Sequence, residues 1–431
     1  MRRWGGVLAG VVLAAGSLVA VGVAPAGAAT FTVDDASDGA PSAADCTSPV
    51  AGSCSLWDAF DAANTNSEAD VITITPGLGI ITLSGPLFHT KNEALTIQGN
   101  GATVQGNYTF QLINSQIGNG LLTIDGLTLT KGNGNGSSGG AIFSSIAAVT
   151  VSNSTFTDNQ TADGNGGAIY ANSAVTVTNS TFTNNRAGSG GAIFADSGVT
   201  VTNSTFAKNE AGSGGALFAY GVVTVSNSTI SGNTATASGG GIAVCGSSSV
   251  VLVYATVVAN SAPDGANIAG SACIDQVGPA LALDDPLVSF GSVVALPQGG
   301  GENCSPGITD DPVGYNFSDD TSCAFSAATD KQDAGDPLLG ALASNGGPTQ
   351  TRLPQSGSPL IDAIPNANCG GGNTLAGFAV TTDQRHLVRP EQSGGKCDIG
   401  AVEVQLPPEP APTPAAAPAA APVETVIRFT G

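Results

Sequence analysis

The chain has 431 residues, among them 60 glycines, with only 10% charged and 5% aromatic residues and a formal net charge of -21. So few long charged and aromatic side chains argue against a helical enzyme and favour short strands joined by tight turns. The negative charge disfavours nucleic acid and anionic membranes as partners.

The N-terminus is typical of a secretory signal peptide. The start is basic, residues 5–23 are apolar and uncharged, and Ala26-Gly27-Ala28 provides a small-residue cleavage site. We therefore expect residues 1–28 to be removed and the protein to be secreted or held at the cell surface. No later stretch is apolar and long enough to span a bilayer.

Residues 29–68 are predicted to form an N-terminal cap. Ser55 and Asp58 have the spacing of a capping box, which predicts a short helix. Its apolar residues share one face: Leu56, Ala59, Phe60 and Ala63. Because an open solenoid end exposes apolar core and unpaired strands, we expect this face to cover the first coil.

Residues 69–302 contain a tandem repeat of roughly 24 residues, the kind of period found in solenoids. The Gly-Gly pairs begin at Gly139, Gly166, Gly190, Gly214 and Gly239, and Asn-Ser-Thr triplets keep the same register. Each unit contains three short strands and three turns. The sequence therefore predicts an all-β, right-handed parallel β-helix of roughly ten coils.

Three internal ladders are predicted from this register. One contains Val175, Val201 and Val223, and a second contains Phe156, Phe182, Phe206 and Ile230. The third consists of the asparagines that begin the triplets, whose side chains are expected to hydrogen-bond from coil to coil at a turn. They are Asn153, Asn179, Asn203 and Asn227.

Eight cysteines follow the signal peptide and fall into pairs that are close in sequence. An exported protein meets oxidising conditions, so four disulfides are predicted, and local pairing is the choice that closes each loop most cheaply. The pairs are Cys46/Cys54, Cys245/Cys273, Cys304/Cys323 and Cys369/Cys397. None has the spacing of a zinc site.

Three segments resemble known bacterial families. The segment CSLWDAFDAAN (54–64) resembles the CSLREA motif of β-helix proteins, and the GGAI and FxxN units resemble the repeats of polymorphic outer-membrane proteins. The segments DPLLG (336–340), NGGPT (345–349) and CDIGA (397–401) are similar to a choice-of-anchor Q region. These resemblances imply a bacterial surface protein in which residues 303–405 close the solenoid. Residues 406–431 are then a Pro/Ala-rich linker and tail.

The repeats carry few side chains suited to catalysis. The histidines are His89 and His386, and neither lies in the GHG frame of polygalacturonase-like enzymes. The charged residues of the clear coils are Arg186, Lys208, Asp158, Asp163, Asp196 and Glu210. Arg186, Lys208 and Glu210 lie at corners, where a solvated turn is the favoured interpretation, and no catalysis is expected. A polysaccharide lyase or glycoside hydrolase is the alternative.

A charged cluster is predicted near the C-terminus, comprising Asp362, Asp383, Arg385, Arg389 and Asp398. It is interpreted either as a binding site or as a paired network that closes the last coil, and the network is favoured because buried charges must be paired. The acidic pairs Asp34-Asp35, Asp310-Asp311 and Asp319-Asp320 leave calcium open as a ligand. None has the spacing of a calcium loop, which favours solvated loops.

The predicted outer surface suggests display. Strand positions facing outward should form a threonine ladder that includes Thr176, Thr178, Thr200, Thr202 and Thr224. Ice binding by this ladder is a minor alternative, since threonine also suits any exposed strand. The favoured function is a monomeric scaffold that presents an extended surface for adhesion or for binding a polysaccharide or another cell-surface ligand.

Overall fold

A computed structural model describes residues 27–39, 42–47, 52–116, 120–246, 248–270, 285–371, 380–390 and 395–405. Nearly all of the predicted signal peptide and the tail 406–431 therefore lie outside the described residues. The described chain forms three parallel sheets, and a complete coil contributes one strand to each of them.

Sheet 1 has eleven strands, which are Ala29–Val33, Asp70–Ile74, Leu95–Gln98, Leu122–Asp125, Val149–Ser152, Val175–Thr178, Val199–Thr202, Val223–Ser226, Val250–Val253, Asp285–Phe290 and Ile308–Gly314. Sheet 2 has ten strands, which are Ile80–Thr82, Thr103–Gln105, Thr128–Thr130, Thr155–Thr157, Thr181–Thr183, Thr205–Ala207, Thr229–Ser231, Thr256–Val258, Val293–Ala295 and Phe317–Ser318. Sheet 3 has eight strands, which are Leu87–His89, Ile113–Ser115, Ile142–Ser144, Ile169–Ala171, Ile193–Ala195, Leu217–Ala219, Ile242–Val244 and Ile268–Ala269. This architecture confirms the predicted parallel β-helix.

The remaining elements lie at the corners and ends. Glu210–Ser213 pairs in parallel with Thr234–Ser238, and Leu339–Ala343 forms an antiparallel hairpin with Thr351–Pro354. The helices are Ala43–Thr47 and Leu56–Ala63, with a 3-10 segment at Asn366–Gly371. Within the described ranges, no helix has the length and apolar character needed to cross a membrane.

Two predicted ladders run through the core, and one of them was assigned the wrong register. Phe156, Phe182 and Phe206 pair in successive strands with ring centroids 4.6 and 4.7 Å apart, as predicted. Val175, however, pairs with Val199 and not with Val201, which belongs to the neighbouring inward row. Val199 and Val201 are two residues apart and face the same side of the strand, so the alternation of side chains does not separate them.

The predicted asparagine ladder occupies a different repeat position from the one expected. The buried, hydrogen-bonded asparagines are those of the FxxN motif: Asn159 Nδ2 donates to Asn185 Oδ1 at 3.0 Å, and Asn185 Nδ2 to Asn209 Oδ1 at 2.9 Å. The triplet asparagines instead adopt left-handed backbone conformations, as at Asn179 with φ 50°. They terminate the strand, and the only coil-to-coil bond between two of them that the structure describes is 3.3 Å long, between Asn179 and Asn153.

The glycine pair of each repeat allows close stacking of the coils. Gly166 has φ +69°, a conformation that disfavours residues with a side chain. A Cβ atom added to Gly167 would lie 2.2 Å from the carbonyl oxygen of Gly191 in the next coil. The coils therefore touch through their backbones at this corner, as the repeat predicts.

The N-terminal cap forms as predicted. Ser55 Oγ accepts a hydrogen bond from the Asp58 backbone N–H at 3.2 Å, and Asp58 Oδ2 accepts one from the Ser55 N–H at 2.9 Å. The apolar face is buried in the core, at Leu56, Ala59, Phe60 and Ala63. The helix thus covers the apolar end of the coil stack.

The C-terminal region does more than close the end of the solenoid. Sheets 1 and 2 continue past the predicted boundary at residue 302, to Gly314 and Ser318. The chain then folds back along the outer face of sheet 2. There the buried Gln384 donates from Nε2 to Thr205 Oγ1 at 2.9 Å and accepts from Thr229 Oγ1 at 2.6 Å.

Three of the four predicted disulfides are present in the described residues. They join Cys46 to Cys54, Cys304 to Cys323 and Cys369 to Cys397. Cys245 is disulfide-bonded, and Cys273, which was predicted to be its partner, lies outside the described residues. The observed bridges tie down the N-terminal cap and the C-terminal region.

Candidate functional site

A cleft of about 470 Å³ opens at the corner between sheets 2 and 3. Each coil leaves sheet 2 through a residue with positive φ and then places its buried FxxN asparagine. The positive-φ residues form row 1 of the cleft: Asp158, Asn184, Lys208 and Gly232. Two positions later in each coil, bridged residues form row 2: Gln160, Arg186, Glu210 and Thr234. Four coils thus place eight residues along one groove.

The charged side chains of this groove are available to a ligand. Arg186, Lys208 and Glu210 are exposed, and within the described parts of the chain their side chains form no hydrogen bond or ion pair. Asp158 is half-buried and accepts a hydrogen bond from Thr157 Oγ1 at 3.3 Å. The groove therefore offers two cations and two carboxylates that are not paired with one another.

The two ends of the cleft differ in shape. Tyr108 lies at one end with 43% of its surface exposed, and burial together with the negative charge of Asp158 raises the pKa of its hydroxyl. Gly232 lies at the other end, where an added Cβ would meet nothing within 4 Å. An aromatic ring at one end and an open notch at the other suit an elongated ligand that runs along the helix axis.

Sequence reasoning located only part of this site. It named Asp158, Arg186, Lys208 and Glu210 as charged turn residues but did not bring them together. It missed Tyr108 and the amides Gln160 and Asn184 entirely. The sequence did contain a signal for row 1. In successive repeats, the residue that follows the Phe-x dipeptide occupies this row and faces outward.

The predicted C-terminal charged cluster is largely a buried network. Arg385 pairs with Asp383 at 2.7 Å, and Arg389 pairs with Glu403 at 3.1 Å. The Asp398 carboxylate accepts the backbone N–H of Asp362 at 2.7 Å, whereas the Asp362 side chain is exposed. Glu403, which the sequence analysis missed, completes the network. These contacts pair the buried charges with protein groups, and ligand binding by the cluster stays a prediction.

The predicted threonine ladder is in register on sheet 1. Thr176 pairs with Thr200, and Thr200 with Thr224, while Thr178 pairs with Thr202. The first row extends through Thr150 and Thr123 to Thr96. Ice binding by this surface stays a prediction, which a thermal-hysteresis assay tests directly.

The remaining candidates have structural partners. His89 is buried 3.4 Å from Ser115 Oγ, and His386 lies 3.1 Å from Asn179 Oδ1. Members of each acidic pair accept hydrogen bonds, as in the Asp34 carboxylate, which accepts the backbone N–H of Cys54 at 3.0 Å. Among the residues described, no three His, Cys, Asp or Glu side chains gather as metal ligands.

One comparison with known proteins gives a match. Residues 82–273, which include the whole cleft from Tyr108 to Thr234, match the family described as a right handed beta helix region. No curated protein and no solved structure matches the chain. The resemblances to CSLREA, polymorphic outer-membrane and choice-of-anchor sequences stay predictions. The family match and the three parallel sheets together show that this protein is an all-β, right-handed parallel β-helix.

Proposed function

We propose that this protein is an exported, non-catalytic scaffold that binds a polysaccharide in the cleft between sheets 2 and 3. The observation that carries the proposal is the set of charged and amide side chains there, spread over four coils, most of which lack protein partners within the described residues. Amides, carboxylates and guanidinium groups together suit the many hydroxyls of a glycan. Coils stack at about 4.8 Å, so the groove offers equivalent positions along a polymer.

The rigidity of the β-helix supports this role. The three sheets hold the cleft residues on backbone that is hydrogen-bonded on both sides, so little conformational entropy is lost when a ligand binds. The predicted export and surface context supply the setting in which such a scaffold contacts polysaccharides. Adhesion would then follow from many weak contacts along one chain.

Binding of the secreted protein to neutral and anionic polysaccharides by affinity electrophoresis tests the proposal. Tyr108→Ala should weaken binding about tenfold, because an exposed aromatic ring at the end of a groove is a preferred contact. Tyr220→Ala is the matched control, since both tyrosines are 43% exposed and Tyr220 lies outside the cleft. Equal binding by both variants, or binding to no polysaccharide, would contradict the proposal.

Glycoside hydrolysis is the second candidate, and one observation favours it. Asp158 and Glu210 share the cleft two coils apart, which corresponds to about 10 Å along the axis. The carboxyl groups of inverting glycosidases lie closer together, roughly 6.5–9.5 Å apart, so hydrolysis would require these two side chains to lean towards each other. New reducing ends that disappear in Asp158→Asn and Glu210→Gln would establish turnover, and unsaturated products absorbing in the ultraviolet would indicate a lyase.

A further inference from the structure

We infer that the cleft selects polysaccharides whose sugars carry anionic groups, either carboxylate or sulfate. This inference rests on the proposed glycan-binding function and adds the class of ligand.

The cleft is less negative than the protein as a whole. The whole sequence has 33 acidic and 12 basic side chains. In the cleft the numbers are equal, with Arg186 and Lys208 on one side of the balance and Asp158 and Glu210 on the other. Lys131 has φ 55° and extends row 1 by one coil. An anionic polymer repelled by the rest of the surface therefore meets two cations here whose side chains have no protein partner among the described residues.

The two central cations, Arg186 and Lys208, lie close enough along the groove for one polymer chain to contact both. Arg186 belongs to row 2 and Lys208 to row 1 of the next coil, so they lie on opposite rows of the same groove. Their spacing along the axis is one coil, about 4.8 Å, which is close to the length of one sugar ring. Guanidinium binds carboxylate and sulfate oxygens through paired N–H groups, and ammonium adds a point charge.

The acidic residues of the groove do not oppose this assignment. Asp158 lies one coil before Arg186, and Glu210 lies in row 2 beside Lys208. A carboxylate accepts hydrogen bonds from sugar hydroxyls, and every sugar of an anionic polysaccharide keeps hydroxyl groups next to its anionic group. The groove thus offers sites for hydroxyls next to sites for anions.

Gly232 creates the space beside Lys208. The equivalent position in the three preceding coils carries Asp158, Asn184 and Lys208, all with φ 56°. Gly232 has φ 70°, and nothing lies within 4 Å of a Cβ built on it. Since asparagine already occupies this backbone conformation two coils earlier, Gly232→Asn should fill the notch without straining the fold.

Two matched ligand pairs test the inference with the intact secreted protein: alginate against carboxyl-reduced alginate, and dextran sulfate against unmodified dextran. We expect the anionic member of at least one pair to bind about tenfold more tightly, with affinity falling as salt is added. A difference confined to the first pair identifies carboxylate as the recognised group, and one confined to the second identifies sulfate. Equal affinity within both pairs overturns the inference but leaves the proposed function standing, whereas no binding of any polysaccharide overturns both.

Variants locate the selectivity. Arg186→Gln and Lys208→Gln should each lower the affinity for the anionic polymer about tenfold and that for the neutral polymer by a smaller factor, so that the ratio of the two affinities falls. Gly232→Asn should weaken the binding of both polymers without changing the melting temperature of the protein. The controls are Lys396→Gln, an exposed lysine outside the cleft, and Gly246→Asn, which has φ 81° and open space around its Cβ. Anion selectivity that survives both cation variants would contradict the assignment.

Discussion

Asparagine occupies two positions in each coil, and the two have different physical roles. Asn179 terminates a strand of sheet 1 with φ 50°, a conformation that asparagine tolerates better than most residues. Asn185 is fully buried, and its Nδ2 donates both to Asn209 Oδ1 and to the backbone oxygen of Phe156. The buried amide therefore satisfies polar groups that lie beneath the surface of the corner.

His89 is a buried titratable residue in the inward row of sheet 3. Burial lowers the pKa of its imidazole, and the negative charge of Glu93 partly offsets this shift. The folded state therefore binds a proton less readily than the unfolded chain, in which the pKa of histidine is about 6.5. Above that value the group does not affect stability, and below it the free energy of unfolding decreases as the pH falls.

We predict that His89→Phe removes this part of the pH dependence. The measurement is the urea midpoint of both proteins at pH 7.5 and pH 5. The parent protein should lose more stability between the two values than the variant, because every other titrating group is common to both. Identical changes in the two midpoints would show that the His89 imidazole does not contribute.

At the scale of elements, the strands depend on their neighbours. Most strands of sheets 2 and 3 contain three residues, which is too short for independent stability. Each is stabilised by the same strand of the adjacent coils, and only the two ends of the stack lack such a partner. The helix Leu56–Ala63 covers the first end through its apolar face.

Ser55→Ala should lower the free energy of unfolding by about 1 kcal/mol. The substitution removes the side-chain acceptor for the Asp58 N–H and the 2.6 Å hydrogen bond from Ser55 Oγ to Asp58 Oδ2. Urea denaturation measures the loss. Ser67→Ala is the control, since Ser67 is exposed and outside the helix. Equal midpoints for the two variants would contradict a stabilising role for the cap.

At the scale of the whole molecule, the C-terminal region braces the coil stack. Arg389 lies 4.1 Å from the centre of the Tyr254 ring, and its Nη1 and Nη2 donate to the backbone oxygens of Asp398 and Gly400 at 2.7 and 2.9 Å. Tyr254 belongs to the coil array. The buried ion pair and the ring contact together hold the returning chain against the solenoid.

Arg389→Met should destabilise the protein by about 3–5 kcal/mol, because it removes one partner of a buried ion pair. Arg186→Met, which removes an exposed arginine from the cleft, should change stability by less than about 0.5 kcal/mol. Thermal unfolding followed by circular dichroism compares them. A loss for Arg389→Met as small as that for Arg186→Met would contradict the brace.

Much of the fold follows from local pattern. The Gly-Gly pairs and the alternation in segments such as Val175–Thr178 predicted short parallel strands, and the Ser55/Asp58 spacing predicted the cap. Both depend on residues that are adjacent in sequence or in the next repeat. The register of the valine ladder was wrong because side-chain alternation does not separate Val199 from Val201. The 24-residue step from Gly166 to Gly190 does separate them, since it carries Val175 to Val199, which is the observed pairing.

The repeat period, the inward residues and the capping helix were thus determined by the sequence itself, since each is repeated or locally encoded. The tertiary structure alone decided which asparagine row is buried, which side chains line the cleft and where the C-terminal region returns. Gln384 contacts Thr205 across 179 residues, a distance that no periodicity encodes. The cleft likewise exists only because four coils bring row 1 and row 2 to one corner, and that convergence is a property of packing.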